Sequence, residues 1–135
     1  MGMRMYLSEC VSRPKMLLAY ADAAYASRCG RHFRQLGWEV LIVASGIEAR
    51  KLAHESCPDV VVLDVALLDQ SGWLTRAKPN LEKSNSRIIL VANRQTADIE
   101  TRRRTIGAEE IVCREDGAEA LASAVFGAFS YAEAV

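Results

Sequence analysis

Apolar residues along the chain come in short runs of strand length, separated by stretches whose apolar positions recur with a helical period. Met16-Leu17-Leu18-Ala19-Tyr20 is the first such run, and residues 23–36 then place Tyr25, Cys29, Phe33 and Leu36 at helical spacing. Gly37 stands where a helix C-terminal glycine is expected. Val40-Leu41-Ile42-Val43 is a second, β-branched run, followed over residues 46–55 by Ala49, Leu52 and Ala53 on one helical face and closed by Pro58. The strongest strand is Asp59-Val60-Val61-Val62-Leu63-Asp64, apolar on both faces as a central parallel strand covered on each side must be.

Beyond Gly72 the period weakens, because Pro79 interrupts a third helix and residues 83–86 are polar, so that helix is expected to be short or broken. Arg87-Ile88-Ile89-Leu90-Val91 is a fourth strand, residues 96–106 a fourth helix ended by Gly107, and Ile111-Val112-Cys113 a short fifth strand. Asp116 is placed to cap a last helix in which Leu121, Val125 and Phe129 recur every four residues. Five βα units in series predict an α/β domain built on one doubly wound, five-stranded parallel sheet of the flavodoxin-like (βα)5 kind. The domain is expected over residues 15–130, with residues 1–14 and 131–135 as tails.

The length of 135 residues suits one domain with a real core, and a chain half hydrophobic and a quarter charged is folded rather than disordered. Seventeen basic residues against seventeen acidic ones leave no net field to hold a nucleic-acid backbone or an anionic membrane, so neither DNA nor membrane is expected as a partner. The run from Val60 to Leu68 is broken by Asp64 and is far short of the ~20 residues a bilayer needs. The first residues lack an apolar signal core, and Tyr6 breaks the myristoylation pattern that Gly2 begins, so a cytoplasmic protein is expected. Cys10, Cys29, Cys57 and Cys113 are scattered singly, and His32 and His54 have no ligand-type neighbours in sequence, which gives no metal site.

In a doubly wound sheet the ligand crevice lies past the carboxyl ends of the strands, at the switch in strand order. The residues placed there are Tyr20, Ala21 and Asp22; Asp64; Ala92 and Asn93; Arg114 and Glu115. A carboxylate ending an apolar strand is costly to desolvate, so Asp64 either caps a solvated turn or does chemistry. There is no glycine-rich phosphate loop after the first strand, no nucleophile elbow and no His beside a Ser or Cys, and enzymatic activity is not expected.

Ser45-Gly46-Ile47-Glu48-Ala49, then Pro58 through Asp64, then Gly72 eight residues on, and Ile106-Gly107-Ala108 before the last strand resemble the receiver domain of response regulators, of the CheY type. The resemblance runs over residues 15–129. It implies a histidine kinase as phosphoryl donor and Asp64 at the phospho-acceptor position. Tyr20 and Ala21 stand where the family has the acidic pair that holds Mg²⁺ with the acceptor, and Asp22 falls one residue later. Ala92 replaces the hydroxyl residue, Arg114 the lysine, Glu115 the proline after it, and Ile111 the aromatic switch residue. With the electrostatic clamp dismantled, ordinary Mg²⁺-dependent autophosphorylation is not expected. The remaining route to Mg²⁺ uses one carboxylate, the Ala66 carbonyl and waters. No cofactor is expected. Asp64 is expected to pair with Arg114, giving a degenerate pseudo-receiver that acts by binding a signalling protein; the rival is a phospho-accepting single-domain regulator using Asp64.

Arg102, Arg103 and Arg104 on the fourth predicted helix, with Arg94 before it, face Glu109, Glu110, Glu115 and Asp116 around the fifth strand. Three consecutive helical residues span about 200°, so at least one arginine stem should lie along the buried stripe of Ile99 and Ile106. In the family this face docks partners, and its paired charges suit a homodimer. An alternative is a cyclic dinucleotide held by the arginines.

Overall fold

The computed structural model describes residues 13–67, 86–93 and 98–134, the last helix with side chains through Gly127. Five strands, β1 (Lys15–Ala19), β2 (Glu39–Val43), β3 (Val60–Asp64), β4 (Arg87–Ala92) and β5 (Glu110–Cys113), form one parallel sheet in the order β2-β1-β3-β4-β5. Among the described residues four helices cover it: α1 (Ala23–Gln35), α2 (Gly46–Ser56), α3 (Ile99–Ile106) and α4 (Gly117–Ala134). The third helix expected after Gly72, together with Pro79, lies outside the described residues. No described helix is long and apolar enough to cross a membrane.

The alternation of strand side chains divides the core into two layers. Leu17, Ala19, Val61, Leu63 and Leu90 meet Ala49 and Ala53 of α2 and Ile106 of α3 on one face. Met16, Leu18, Val60, Val62 and Ile89 meet Cys29 and Phe33 of α1 and Leu121 and Val125 of α4 on the other. All five residues of β3 are buried, the position its unbroken apolar run predicts for a central strand.

Local signals set the helix starts. The Asp22 carboxylate accepts from the amides of Ala24 (3.0 Å) and Tyr25 (3.2 Å) to cap α1. Ser45 caps α2 by accepting from the Glu48 amide at 3.1 Å, and its hydroxyl donates to the Glu48 carboxylate at 3.4 Å.

One expectation is corrected. Leu36 leaves the α1 stripe as the residue after the helix and is 48% exposed; Trp38 closes that end of the core instead, edge-on to Phe33 at 6.0 Å. Asp116 ends a 3-10 turn (Arg114–Asp116) directly before α4, at the position where the sequence places a cap. The last helix runs through Ala134. At the other end, residues 1–12 lie outside the described part, while the Pro14 carbonyl already accepts from the Glu39 amide at 2.9 Å.

Candidate functional site

The sheet order reverses between β1 and β3, and the crevice past their carboxyl ends opens into a cavity of about 300 Å³. Ala21, Asp64, Ala66, Ala92, Asn93 and Arg114 are among the residues lining it. Asp64 closes β3 and is only 9% exposed. One carboxylate oxygen, Oδ1, accepts from the Ala66 amide in the following turn at 3.0 Å, and Oδ2 lies 3.4 Å from the Ala21 amide across the switch. Backbone amides from both sides of the crevice thus hold the carboxylate and offset part of its desolvation.

The Asp64–Arg114 ion pair does not form. Arg114 Nη1 lies 3.6 Å from Asp22 Oδ2, and its guanidinium sits over the Tyr25 ring at 5.8 Å from the centroid. The reason is the cap. With Oδ1 fixed on the α1 amides, Oδ2 of Asp22 faces the end of β5, where a cation finds both a carboxylate and a ring face. Asp22 also lines the cavity with Asp64, but its two oxygens are turned to the α1 amides and to Arg114.

Tyr20 is placed by the sequence among the pocket positions, but the strand pleat turns it the other way. It follows Met16 and Leu18 into the α1/α4 layer, 1% exposed, with its ring centroid 4.7 Å from that of Tyr25. Neither tyrosine hydroxyl makes a well-formed hydrogen bond, although the Tyr20, Tyr25 and Cys29 side chains lie close enough to interact with one another. Burial, helped by the neighbouring Tyr25 and Cys29, pushes the Tyr20 hydroxyl well above its ordinary range, and burial likewise raises Tyr25 and the Cys29 thiol. Tyr20 is therefore a neutral core residue. Tyr25, which the sequence reading treats only as part of the helical stripe, is the ring that meets both Tyr20 and Arg114; its position three residues past the capping Asp22 is the signal that could have found it.

The donor set does not fit Mg²⁺ as the family's clamp would. Magnesium favours octahedral oxygen coordination with one or two free carboxylates. Here one carboxylate lines the cavity without a cationic partner, and it already accepts an amide at 3.0 Å; Ala21 and Ala92 contribute no side-chain oxygen. Among the described residues no three His, Cys, Asp or Glu side chains gather in one place.

On the far edge, Ile106 is buried and Ile99 packs against the core, so α3 lies as its stripe requires. Arg103, partly buried, donates to the Ala108 carbonyl at 2.9 Å and pairs with Glu100 at 2.5 Å; Glu100 is also 4.0 Å from Arg104 Nε. Glu109 sits 4.0 Å from Arg87, while Glu110 and Glu115 are exposed beside β5. Much of the charge on this face is thus matched locally. Ile111 is half-buried against the core, and Arg94 lies outside the described residues.

Neither protein-family models nor curated proteins give a match to the chain. Solved structures do. A signal receiver domain from Vibrio parahaemolyticus aligns with a TM-score of 0.74 at 21% identity, covering 90% of this chain and 93% of that one. The chemotaxis protein CheY4 of Vibrio cholerae aligns at 0.73 and 17% identity over 84% and 97% of the two chains. A Burkholderia pseudomallei response regulator, solved with a phosphorylated aspartic acid, calcium and citrate, aligns at 0.70 and 18% identity over 82% and 65%. With its strand order, its acid-tipped third strand and this overlap, the chain has the fold of the response-regulator receiver domain.

Proposed function

We propose that the protein is a pseudo-receiver: a binding module of cytoplasmic signal transduction that docks on a signalling protein, without enzymatic activity and without Mg²⁺-dependent phosphotransfer. One observation carries the reading. Of the positions that would supply the acidic clamp, Tyr20 is turned into the core, Ala21 has no donor and Asp22 is held by its helix cap and Arg114, leaving Asp64 as the single carboxylate available. Losing one preorganised charge-stabilising donor costs enzymes on the order of 10²–10³ in rate, and here several are gone together.

The second reading is a phospho-accepting regulator. Its support is Asp64 at the end of β3, beside a cavity whose rim holds the cation of Arg114. Incubation with acetyl phosphate and millimolar Mg²⁺, read by intact mass and peptide mapping, distinguishes the two. The pseudo-receiver reading expects an unmodified chain; stoichiometric phosphorylation of Asp64 that Asp64→Asn abolishes would sink it.

The α3–β5 face, with Arg102, Glu110 and Glu115, is the proposed site of a homodimer contact, and salt-dependent sedimentation tests it. A cyclic dinucleotide on the α3 arginines has less in its favour, since Arg103 is engaged by Glu100 and the Ala108 carbonyl.

A further inference from the structure

Among the described residues, a group of basic side chains without an ion pair lies at the opposite edge from the consecutive arginines. Helix α1 carries Arg28, Arg31 and Arg34 and no acidic residue between Ala23 and Gln35. Among the described residues neither Arg31 nor Arg34 forms an ion pair. Both line a groove of about 440 Å³ between α1 and the edge strand β2, with Ser27, Gln35 and Ile42 as the other walls.

Gly30 lies behind Ile42. A Cβ on Gly30 would lie 2.9 Å from Ile42 Cδ1, so the bare glycine lets Ile42 lie against the helix while staying 39% exposed. Leu36, 48% exposed, stands where α1 ends and β2 is about to begin. Single exposed aliphatics are ordinary, but Ile42 in the groove and Leu36 at its α1 end, beside arginines without an acidic partner, make a docking surface.

The occupant's shape follows from Arg34. Its Nη2 donates to the Val40 carbonyl at 3.1 Å, occupying an edge acceptor that an added strand would need. An extended peptide is blocked, while a helix laid along the groove leaves that bond intact. Five strand residues span roughly 16 Å, the length of about 11 helical residues. We infer that the α1–β2 groove binds an acidic amphipathic helix of a partner protein, its apolar side on Ile42 and Leu36 and its carboxylates on Arg31 and Arg34. This holds whether or not Asp64 is ever phosphorylated, so it stands or falls separately from the reading above.

The test uses a synthetic 14-residue helical peptide with leucines at i, i+3 and i+7 and glutamates on its flanks, and the same peptide with lysines replacing the glutamates. Amide shifts of the isotope-labelled full-length protein are followed in low salt. The glutamate peptide should shift Ser27, Arg31, Gln35 and Ile42 and the lysine peptide should not. Arg31→Glu should weaken binding about tenfold, the order expected for reversing one interfacial charge. Ile42→Asn gives a second variant that leaves every arginine in place, and it should also weaken binding. Equal binding of both peptides, shifts confined to other faces, or no shifts at millimolar peptide would overturn the proposal. So would a concentration-dependent dimer that Arg31→Glu dissolves, which makes a second copy the occupant, or the same shifts from inorganic phosphate alone.

Discussion

Replacing Tyr20 by Phe tests whether the side chain at the end of β1 belongs to the core or to the pocket. Tyr20 is 1% exposed and its hydroxyl makes no well-formed hydrogen bond, only a contact with the Tyr25 and Cys29 side chains, so the folded protein bears the desolvation of an O–H with little in return. An unsatisfied buried group of this kind costs about 1–3 kcal/mol. Tyr20→Phe keeps the ring and its 4.7 Å stacking on Tyr25 while removing only the oxygen, whose loss leaves a small void. A net gain of about 1 kcal/mol is expected. With an unfolding entropy of roughly 2 cal/mol/K per residue, that gain raises Tm by about 3–4 °C. Calorimetry and urea unfolding read it, with an unchanged m-value showing that the unfolded state has not shifted. Tyr20→Ala is the contrasting case, expected to lose about 3–5 kcal/mol as a large buried ring is deleted. A Tyr20→Phe protein less stable than the parent by more than about 0.5 kcal/mol would refute the reasoning, since the hydroxyl would then have a partner worth keeping.

Alkaline stability follows from the same cluster. Burial raises Tyr20 and Tyr25 above 10.0, so past pH 10 the unfolded chain loses protons that the folded one keeps; stability falls as pH rises, and two of the four tyrosines should ionise only on unfolding, read by phenolate absorbance. Ala21→Asp puts a second carboxylate at the cavity beside Asp64; calorimetry should then show Mg²⁺ binding that the parent lacks at the same concentration, and equal binding by both proteins would mean Ala21 is not what the site is missing. Gly30→Ala sets a helix-propensity gain of up to about 1 kcal/mol against a Cβ contact of 2.9 Å on a half-exposed Ile42, so stability should change by less than about 1 kcal/mol while the α1–β2 groove loses its peptide.

The strands were legible because each is a short apolar run bounded by polar or turn residues, and the all-buried β3 places every described strand in order once the units are read as βα repeats. Asp64 was legible for the opposite reason, as a charge where burial predicts none. What the sequence hid is direction. Tyr20 and Ala21 are adjacent and read as equivalent pocket positions, yet the pleat sends one into the core and leaves the other on the cavity. Arg114 has two carboxylates within its reach in sequence logic, and only the helix cap of Asp22 decides between them. The run Arg102-Arg103-Arg104 draws the eye by adjacency, whereas Arg31 and Arg34, three apart and on one face, are the ones left without acids.

The contact of Arg114 with Asp22 and Tyr25 joins the first βα unit to the last. Strands β1, β2 and β3 are contiguous in the sheet, with β4 and β5 outward in chain order, and a contact closing so long a loop is expected to form late in folding. Arg114→Ala should accordingly leave the refolding rate alone and speed unfolding. The crevice would then be the last part of the molecule to assemble and the first to open, and ligand access to it would follow the breathing of the C-terminal unit rather than the stability of the whole sheet.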